Sequence, residues 1–536
     1  MNFSCLASCA ERVARRGGRL SKIEALAELL TGLDSDLVGP SVQMLAGELP
    51  GGKIGVGFAT VRTAREAAEP ASGLEPVSIR ELLDTFDQIR GEAGAGSKQR
   101  RVDRLTDLFE RGSDTERNFL GRLLVGELRQ GALTGLMIEA IAQAANVAAS
   151  GVRRAVMISG RLDDVAVAAL SGGEVALADF RVKLFRPLQP MLASPAEGPE
   201  VVVERISTDR LALEVKIDGA RVQVHREGDD VRIYSRQLHD VTHAAPELVE
   251  LARQTEHAQW IADGETFAIR ADGSIHPFQT TMRRFGRSRN VDELRRRLPL
   301  EARFFDLLLL GDEELIDEPL EARWQRLEGL FPDHQAPRWR PPVSADVQKL
   351  FDQALDDGHE GLMAKDLDSA YAAGSRGFQW LKLKPTHTLD LVVLAVEKGS
   401  GRRSGWLSNL HLGAVDPDNG GFVMLGKTFK GLTDDMLRWQ TEHLGALETH
   451  VENGYVHHVR PELVVEIAYS NLQKSPQYPA GIALRFARVK AHRPDRDATS
   501  AATIHEVQGR FEAENGRPAR PVATSGSAEP SGDSNA

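Results

Sequence analysis

Cysteine is scarce in this sequence, because only Cys5 and Cys9 occur among 536 residues. Two cysteines are too few for a disulfide framework, and they lack the second pair of cysteine or histidine ligands that a structural zinc site requires. The sequence therefore predicts a protein of a reducing compartment, the cytoplasm.

Long hydrophobic runs are absent too. No stretch of about 18 apolar residues offers a transmembrane helix, although hydrophobic residues make up 41% of the chain and can form cores. Residues 1–19 lack a basic leader followed by a long apolar stretch, so they are predicted to begin an unsecreted protein with an amphipathic helix. These features exclude an integral membrane protein, and the length predicts three or four domains.

Lysine is uncommon as well, with 14 lysines against 52 arginines, so each lysine is more informative than in an average chain. The formal net charge of −11 argues at first against a polyanionic partner. By segment, however, residues 1–190 are neutral in sum, residues 191–388 carry −9 and residues 389–536 carry −2. The excess acid therefore lies in the middle segment and does not exclude a polyanion elsewhere.

Hydrophobic periodicity divides the chain. Apolar residues at three- and four-residue spacing predict an all-helical domain over 1–185, and alternation with period two predicts a mixed α and β domain over 186–387. Short strands around a helix near 434–447 predict a small β-barrel over 388–500. Residues 501–536 are rich in Ala, Ser, Gly, Pro and Glu and are predicted to be a disordered tail.

The sharpest local feature of the middle segment is Lys216-Ile217-Asp218-Gly219-Ala220-Arg221. A lysine ends an alternating strand, Gly219 permits a tight turn, and Arg221 opens the next strand. Taken alone the motif is a weak signal, and a solvent-facing lysine in a hairpin is the more frequent explanation of such a match.

Further blocks follow in order: Asp263–Glu265, Phe305-Asp306, Glu360–Lys365 and Trp380–Lys384. Together with Lys216 they contain four of the 14 lysines. Lys382 and Lys384 project to one side of a strand while the intervening leucines point to the core. Such a doublet repels itself unless an anion lies over it, so the pattern indicates an anion site.

These side chains suit transfer of a nucleotidyl group. A lysine that attacks phosphorus must be unprotonated, and we expect the charges of Lys382, Lys384 and Arg221 to lower the pKa of Lys216. The same cations would neutralise charge on a phosphate. Glu265 and Glu360 offer oxygen ligands to Mg²⁺ or to ribose hydroxyls, and Phe305 offers an apolar face to a base.

With Ser235-Arg236, the ordered blocks resemble the nucleotidyltransferase motifs of ATP-dependent DNA ligases of the three-domain type. Leu120–Ala145 is similar to the helical DNA-binding domain of that family, Gln189–Ala193 to the lead-in to its catalytic domain, and Leu484–Lys490 to its final motif. The resemblance implies a helical DNA-binding domain, an α+β nucleotidyltransferase domain of ATP-grasp-like ligase type, an OB-fold barrel and a disordered tail.

The resemblance also implies roles for single residues. Lys216 would become Lys-AMP, with Glu214 beside the adenine and Phe305 stacked on it. Other ATP contacts would come from Arg221, Arg236, Glu265, Arg376, Lys382, Lys384, Arg485 and Arg488; the metal ligands would be Glu265 and Glu360, and the DNA contacts Arg129, Arg283 and Arg284. Runs of arginine such as those near 283–297 are more often a solvated helix face than a DNA contact. The sequence departs from the family pattern near Asp495, whose role is open.

The resemblance implies a cytoplasmic, nucleoid-associated monomer that uses ATP and Mg²⁺ to seal nicked double-stranded DNA in repair, replication or recombination. Three other enzyme classes compete with it. A capping guanylyltransferase or an RNA ligase would share the lysine motif without needing the helical domain, and an NAD-dependent DNA ligase would be expected to carry a cysteine-rich zinc module. A non-catalytic nick-binding scaffold is disfavoured by the intact Lys216, Glu265, Glu360 and Lys382.

Overall fold

The computed structural model describes residues 1–69, 74–128, 133–286, 290–341, 343–373, 377–516 and 520. Its first region is helical, as the periodicity predicts. The helices are α1 (Phe3–Arg15), α2 (Arg19–Thr31), α3 (Ser35–Ala46), α4 (Phe58–Ala67), α5 (Ile79–Gly91), α6 (Ser97–Arg111), α7 (Asp114–Leu124), α8 (Leu133–Ala145), α9 (Ala149–Ser159) and α10 (Leu162–Ala178).

Local signals mark the start of some of these helices. Ser113 caps α7 by accepting a hydrogen bond from the backbone of Glu116, whose side chain in turn accepts from the backbone of Ser113. The apolar faces meet in one core that contains Leu6, Leu26 and Phe109, all fully buried. Burial of such side chains is the main favourable term for a helical domain.

The middle region contains two five-stranded sheets. The first has the order β1-β10-β9-β2-β8 and the second the order β4-β3-β5-β6-β7. The strands are β1 (Ser194–Ala196), β2 (Leu211–Val215), β3 (Ala220–Glu227), β4 (Asp230–Ser235), β5 (Gln259–Ala268), β6 (Leu300–Leu310), β7 (Glu313–Glu314), β8 (Arg338–Trp339), β9 (Leu362–Asp366) and β10 (Trp380–Leu383); the helices are α11 (Pro199–Arg205), α12 (Pro246–Gln254), α13 (Phe278–Phe285), α14 (Val291–Arg297), α15 (Leu320–Leu330) and α16 (Ser344–Asp356).

The hairpin interpretation of the Lys216 motif is wrong. Strand β2 belongs to the first sheet and β3 to the second, so residues 216–219 carry the chain from one sheet to the other. The crossing is tight at Gly219, where an added Cβ would lie 2.4 Å from the carbonyl oxygen of Thr266. Lys216 therefore lies at the junction of the two sheets, not on an exposed turn.

The third region is strand-rich and OB-like. Its strands are β11 (His387–Lys398), β12 (Leu407–Val415), β13 (Phe422–Thr428), β14 (Glu448–Glu452), β15 (Val456–Val459), β16 (Val464–Tyr469), β17 (Asn471–Lys474), β18 (Ile482–Arg485) and β19 (Arg488–Arg493), with α17 at Asp434–Ala446. The long strand β11 pairs with β12, β15 and β16, and β16 pairs in turn with β19. This branching curves the sheet around one core.

The predicted tail needs a correction, because helix α18 (Ile504–Gly516) lies within it. Ile504 and Val507 are buried in the core of the strand-rich region, and Arg510 donates a hydrogen bond to the carbonyl of Thr388 at 3.1 Å. The composition of the segment did not predict the helix, because a few apolar residues at the right positions are enough to pack it against the core. Beyond α18, the structure describes only residue 520 of that tail.

Across the described residues, none of the helices has the length and apolar character that crossing a membrane requires.

The segment between the helical and middle regions is bound to strand β3. The backbone N–H of Phe185 donates to Nδ1 of His225 at 3.0 Å, and that of Leu188 donates to the side-chain oxygen of Gln223 at 2.7 Å. The connection is therefore held by buried polar groups.

We expect this connection to weaken in acid. Burial lowers the pKa of His225 to about 3, so the folded imidazole stays neutral where the unfolded one, with an ordinary pKa, takes up a proton. Stability is fully present above the unfolded pKa and is lost as pH falls, by about 2 kcal/mol at pH 5. Urea unfolding of the wild type and of His225→Gln at pH 8 and pH 5 measures it; an equal pH dependence in both would contradict it.

Candidate active site

A cavity of about 730 Å³ opens between the two sheets of the middle region and the strand-rich region. It gathers residues that lie far apart in the sequence. Of the site residues predicted from the sequence, its walls include Glu214, Lys216, Arg221, Arg236, Glu265, Phe305, Lys382, Lys384 and Arg488. The motif blocks therefore converge on one place.

Lys216 is held by its backbone at the end of β2. Its N–H donates to the carbonyl of Gly361 at 2.9 Å, next to the start of β9. Gly361 has φ +137° and its Cβ position would lie 2.2 Å from the carbonyl oxygen of Leu383, so only glycine allows β9 and β10 to approach this closely. The close approach brings Lys216, Glu360 and Lys384 together.

Glu360 lies between two lysines. Its Oε2 is 2.5 Å from Lys216 Nζ as an ion pair, and its Oε1 accepts a hydrogen bond from Lys384 Nζ. Burial, followed by the charge of Lys216, lowers the pKa of Lys384 to about 7. The two amines share one carboxylate.

Aromatic rings form the other end of the cavity. Phe305 and Trp380 meet edge to face with their centroids 5.9 Å apart, and Lys365 Nζ lies 4.7 Å from the Phe305 centroid. Lys365 is buried and donates to both carboxylate oxygens of Glu214, at 2.9 and 3.0 Å. Burial raises the pKa of Glu214 and lowers that of Lys365. The sequence prediction included Glu214, and it noted Lys365 within a motif block without giving it a role.

Arg221 lies beside these rings, with its guanidinium carbon 5.3 Å from the centroid of Phe305. It donates to Oδ2 of Asp263 at 2.5 Å, to the hydroxyl of Tyr371 at 3.2 Å and to the carbonyl of Met191 at 2.5 Å. Sequence reasoning noted Asp263 without giving it a role and missed Tyr371, because no pattern links residues 108 positions apart.

The metal ligands predicted from the sequence are the carboxylates of Glu265 and Glu360. No cluster of three or more His, Cys, Asp or Glu side chains that could hold a metal occurs among the described residues. Glu265 lines the cavity, and burial raises its pKa to about 7 against the opposing charges of Lys216 and Arg221. Glu360 is the second carboxylate, with its Oε2 ion-paired with Lys216 Nζ at 2.5 Å. One or two carboxylates with substrate phosphates suit Mg²⁺, so the residues fit a substrate-shared ion.

The strand-rich region closes one side of the cavity. Arg488 lies 3.8 Å from Glu197, and Arg485 lies over the ring of Phe278 with 5.0 Å to the centroid. A further contact joins Gln279 to Gln473 at 3.1 Å. The two arginines predicted from the last motif thus face the middle region across its opening.

Four arginines predicted from the sequence have different outcomes. Arg129 and Arg376 lie outside the described residues. Arg283 is exposed at the end of α13, where it stays a candidate DNA contact. The DNA-contact prediction for Arg284 is wrong in this structure, because its side chain is fully buried, donates to both carboxylate oxygens of Glu247 at 3.1 and 3.0 Å, and bonds the carbonyl of Ala244.

We expect Arg284 to stabilise the fold. Arg284→Ala leaves the buried Glu247 carboxylate without its partner and should lower the free energy of unfolding by about 3–5 kcal/mol. Arg283→Ala, one residue away and exposed, is the matched control and should stay within about 0.5 kcal/mol of the wild type. Urea unfolding measures both; equal stabilities would contradict the structural role.

Family models match most of the chain. "DNA ligase N terminus" matches residues 58–142, "ATP dependent DNA ligase domain" matches 190–384, and "ATP dependent DNA ligase C terminal region" matches 403–496. A solved structure titled "Pmar-Lig_PreS3" aligns over 91% of this chain and 99% of its own, with a TM-score of 0.55 and 18% identity. At that identity the likeness concerns the fold alone.

Curated relatives are closer in sequence. A probable DNA ligase of Anaeromyxobacter sp. (strain Fw109-5) is 50% identical and covers 95% of this chain and 98% of its own length. A probable DNA ligase of Saccharopolyspora erythraea is 52% identical over 92% of this chain and 95% of its own. The resemblance inferred from the ordered motifs is thereby confirmed, and the chain belongs to the ATP-dependent DNA ligase family.

Proposed function

We propose that this chain seals nicks between a 5′-phosphate and a 3′-hydroxyl in duplex DNA, with Lys216 as the nucleophile. The observation that carries the proposal is the position of Lys216 Nζ, 2.5 Å from Glu360 in a cavity that ends in aromatic rings. A cationic end for phosphates and an apolar end for a base are the two halves of a nucleotide site.

In the first step the neutral amine of Lys216 attacks the α-phosphorus of ATP. A phosphorus–nitrogen bond forms, the bond to the bridging oxygen of pyrophosphate breaks, and Glu360 is in place to take the amine proton. Lys382 and Lys384 face the same cavity and offset the charge that develops on the α-phosphate. Arg485 and Arg488 contact the leaving pyrophosphate from the strand-rich side.

In the second step a 5′-phosphate oxygen of the nick attacks the same phosphorus and Lys216 leaves, which gives an adenylylated DNA end. In the third step the 3′-hydroxyl attacks the 5′-phosphorus and AMP leaves. Each displacement has a good leaving group. The covalent intermediate therefore replaces one difficult reaction with several easier steps. In all three steps Phe305 and Trp380 form the wall at the base end of the cavity, with Glu214 and the Lys365 amine beside them. Arg221 and Arg236 contact the ribose and the phosphates.

Mg²⁺ would be held by Glu360 and Glu265 together with phosphate oxygens of ATP. When bound, the ion supplies positive charge to the transferring phosphate. Glu265 would bind it as the carboxylate, so protonation of this buried group near pH 7 competes with the ion. Glu360 is already ion-paired with Lys216 and is available as a carboxylate.

The flanking domains, predicted as 1–185 and 388–500, would grip DNA through its phosphate backbone, as an enzyme that acts on any sequence requires. The helical segment is neutral in sum, so its basic groups must share one face to do this. We further propose a monomer that works in the cytoplasm on the nucleoid, in repair, replication or recombination.

Nucleotide choice tests the proposal. The protein is incubated with Mg²⁺ and α-labelled ATP, GTP or labelled NAD in parallel, and singly nicked duplex DNA is then added. We expect protein labelling by ATP only, followed by transfer of the label to DNA and sealing. Labelling by GTP would favour a capping enzyme, labelling by NAD an NAD-dependent ligase, and sealing of RNA alone an RNA ligase; each outcome would contradict the proposal.

A further inference from the structure

Tyr371 is buried behind the nucleotide cavity and has no role in the reaction steps above. Its side chain is 2% exposed, and its ring meets Trp380 edge to face with centroids 6.3 Å apart. The ring therefore packs against a wall of the cavity, and only the hydroxyl is left to make polar contacts.

That hydroxyl has three partners. It donates to Oδ2 of Asp263 at 2.6 Å, and it accepts from a terminal nitrogen of Arg221 at 3.2 Å and from the backbone N–H of Met191 at 3.1 Å. Asp263 is fully buried and also accepts from Arg221, so the phenol and the carboxylate hold one guanidinium from two sides. Bonds with an ionised partner are the stronger kind, which makes this arrangement rigid.

The cage does not satisfy every N–H donor of Arg221. Its Nε is buried and has no acceptor among the described residues. Because both terminal nitrogens are engaged, the guanidinium cannot turn to satisfy Nε with a protein group. A buried donor without a protein acceptor at the wall of a cavity is open to an atom of a ligand or to water.

The segment that leads into the catalytic region is part of the same cage. Met191 accepts from Arg221 through its carbonyl and donates to Tyr371 through its N–H. Ala373 lies two residues after Tyr371 in the chain, and its backbone N–H donates to the sulfur of Met157 in helix α9. The hydroxyl of Tyr371 therefore lies where the nucleotide cavity, the connecting segment and the helical region meet.

We propose that Tyr371 is a positioning residue for nucleotide binding: its hydroxyl fixes the guanidinium of Arg221, together with Asp263 and the carbonyl of Met191, so that Arg221 meets ATP in one orientation. The inference rests on the proposed contact between Arg221 and ATP. Burial raises the pKa of Tyr371 well above its usual range, so the phenol remains a donor to Asp263 at any working pH.

Tyr371→Phe keeps the ring and removes the hydroxyl, and Tyr234→Phe is the matched control. The hydroxyl of Tyr234 donates to the carbonyl of Phe185 at 2.8 Å, so it also ties down the connecting segment, but it makes no hydrogen bond to Arg221. The measurement is the rate of lysine adenylylation against ATP concentration in the full chain. We expect Tyr371→Phe to raise KM for ATP about tenfold with little change in kcat, and the control to leave KM unchanged.

A second comparison separates positioning from general destabilisation. Arg221→Gln should raise KM by itself, and adding Tyr371→Phe should then raise it no further, because the two residues act through one group. An unchanged KM in Tyr371→Phe, or equal effects of the two tyrosine variants, would overturn the inference while the proposed function stands. A wild type that ATP does not label would overturn both.

Discussion

Lys216→Ala should form no labelled protein with ATP, and overall nick sealing should fall by at least about 10⁴-fold. The side chain supplies the only atom to which AMP is attached in the proposed first step, and its Nζ lies against Glu360 within the cavity. Lys384 cannot replace it, because Lys384 follows β10, which β9 separates from β2, and its amine is bound to the other oxygen of Glu360. The measurement is protein labelling at fixed ATP followed by sealing of nicked duplex.

A DNA substrate that already carries AMP at the nick gives the control. Lys216→Ala should still seal it, because the third step does not use the lysine as a nucleophile, and this shows that the variant is folded. Lys349→Ala, on the exposed side of helix α16, is the matched lysine control and should behave as wild type. Labelling of Lys216→Ala by ATP would contradict the nucleophile assignment.

Glu360→Ala should slow lysine adenylylation by about 10²–10³-fold. Without the carboxylate, two cationic amines face each other unpaired, and Lys216 loses both its nearest anion and the group proposed to take its proton. The proposed Mg²⁺ site also loses an oxygen ligand. The measurement is the single-turnover rate of labelling across a range of Mg²⁺ concentrations.

Two further variants separate charge from size. Glu360→Gln keeps the shape and should lose nearly as much rate, because the carboxylate charge is what pairs the lysines. Asp352→Asn, on an exposed position of α16, removes the same charge away from the cavity and should leave the rate within about twofold of wild type. A Glu360→Ala rate as fast as that of the control would show that the carboxylate has no part in the step.

Much of the site was predictable because the chemistry is carried by short blocks. The alternation at Trp380–Lys384 predicts that Lys382 and Lys384 share a face, and the structure has both on the cavity wall with Leu381 and Leu383 buried. The alternating strand predicted to end at Lys216 likewise forms β2, which spans Leu211–Val215. Period-two patterns mark strands because successive side chains point to opposite faces of a sheet.

Other parts of the site depend on contacts that no local pattern contains. Lys365 and Glu214 are 151 positions apart and meet only because β9 pairs with β2. The lysine motif looked like a hairpin because a turn within one sheet and a crossing between two sheets leave the same local signature.

Charged residues were a poor guide to function both at the level of a single arginine and at the level of the whole chain. Arg284 occurs in an arginine-rich stretch, yet it is buried on Glu247, because helical periodicity turns one arginine of a pair inward and leaves Arg283 outside. The net charge of −11 argues at first against a DNA partner, whereas the walls of the cavity hold more lysines and arginines than carboxylates. Total charge therefore says less about the substrate than its placement does.

The most direct test is to isolate the protein after incubation with ATP and Mg²⁺, remove free nucleotide, map the modified peptide, and add singly nicked duplex DNA. The account predicts AMP on Lys216, at one per active chain, and one nick sealed per adenylylated protein without further ATP. AMP on another residue, or an adduct on Lys216 that nicked DNA cannot discharge, would contradict it.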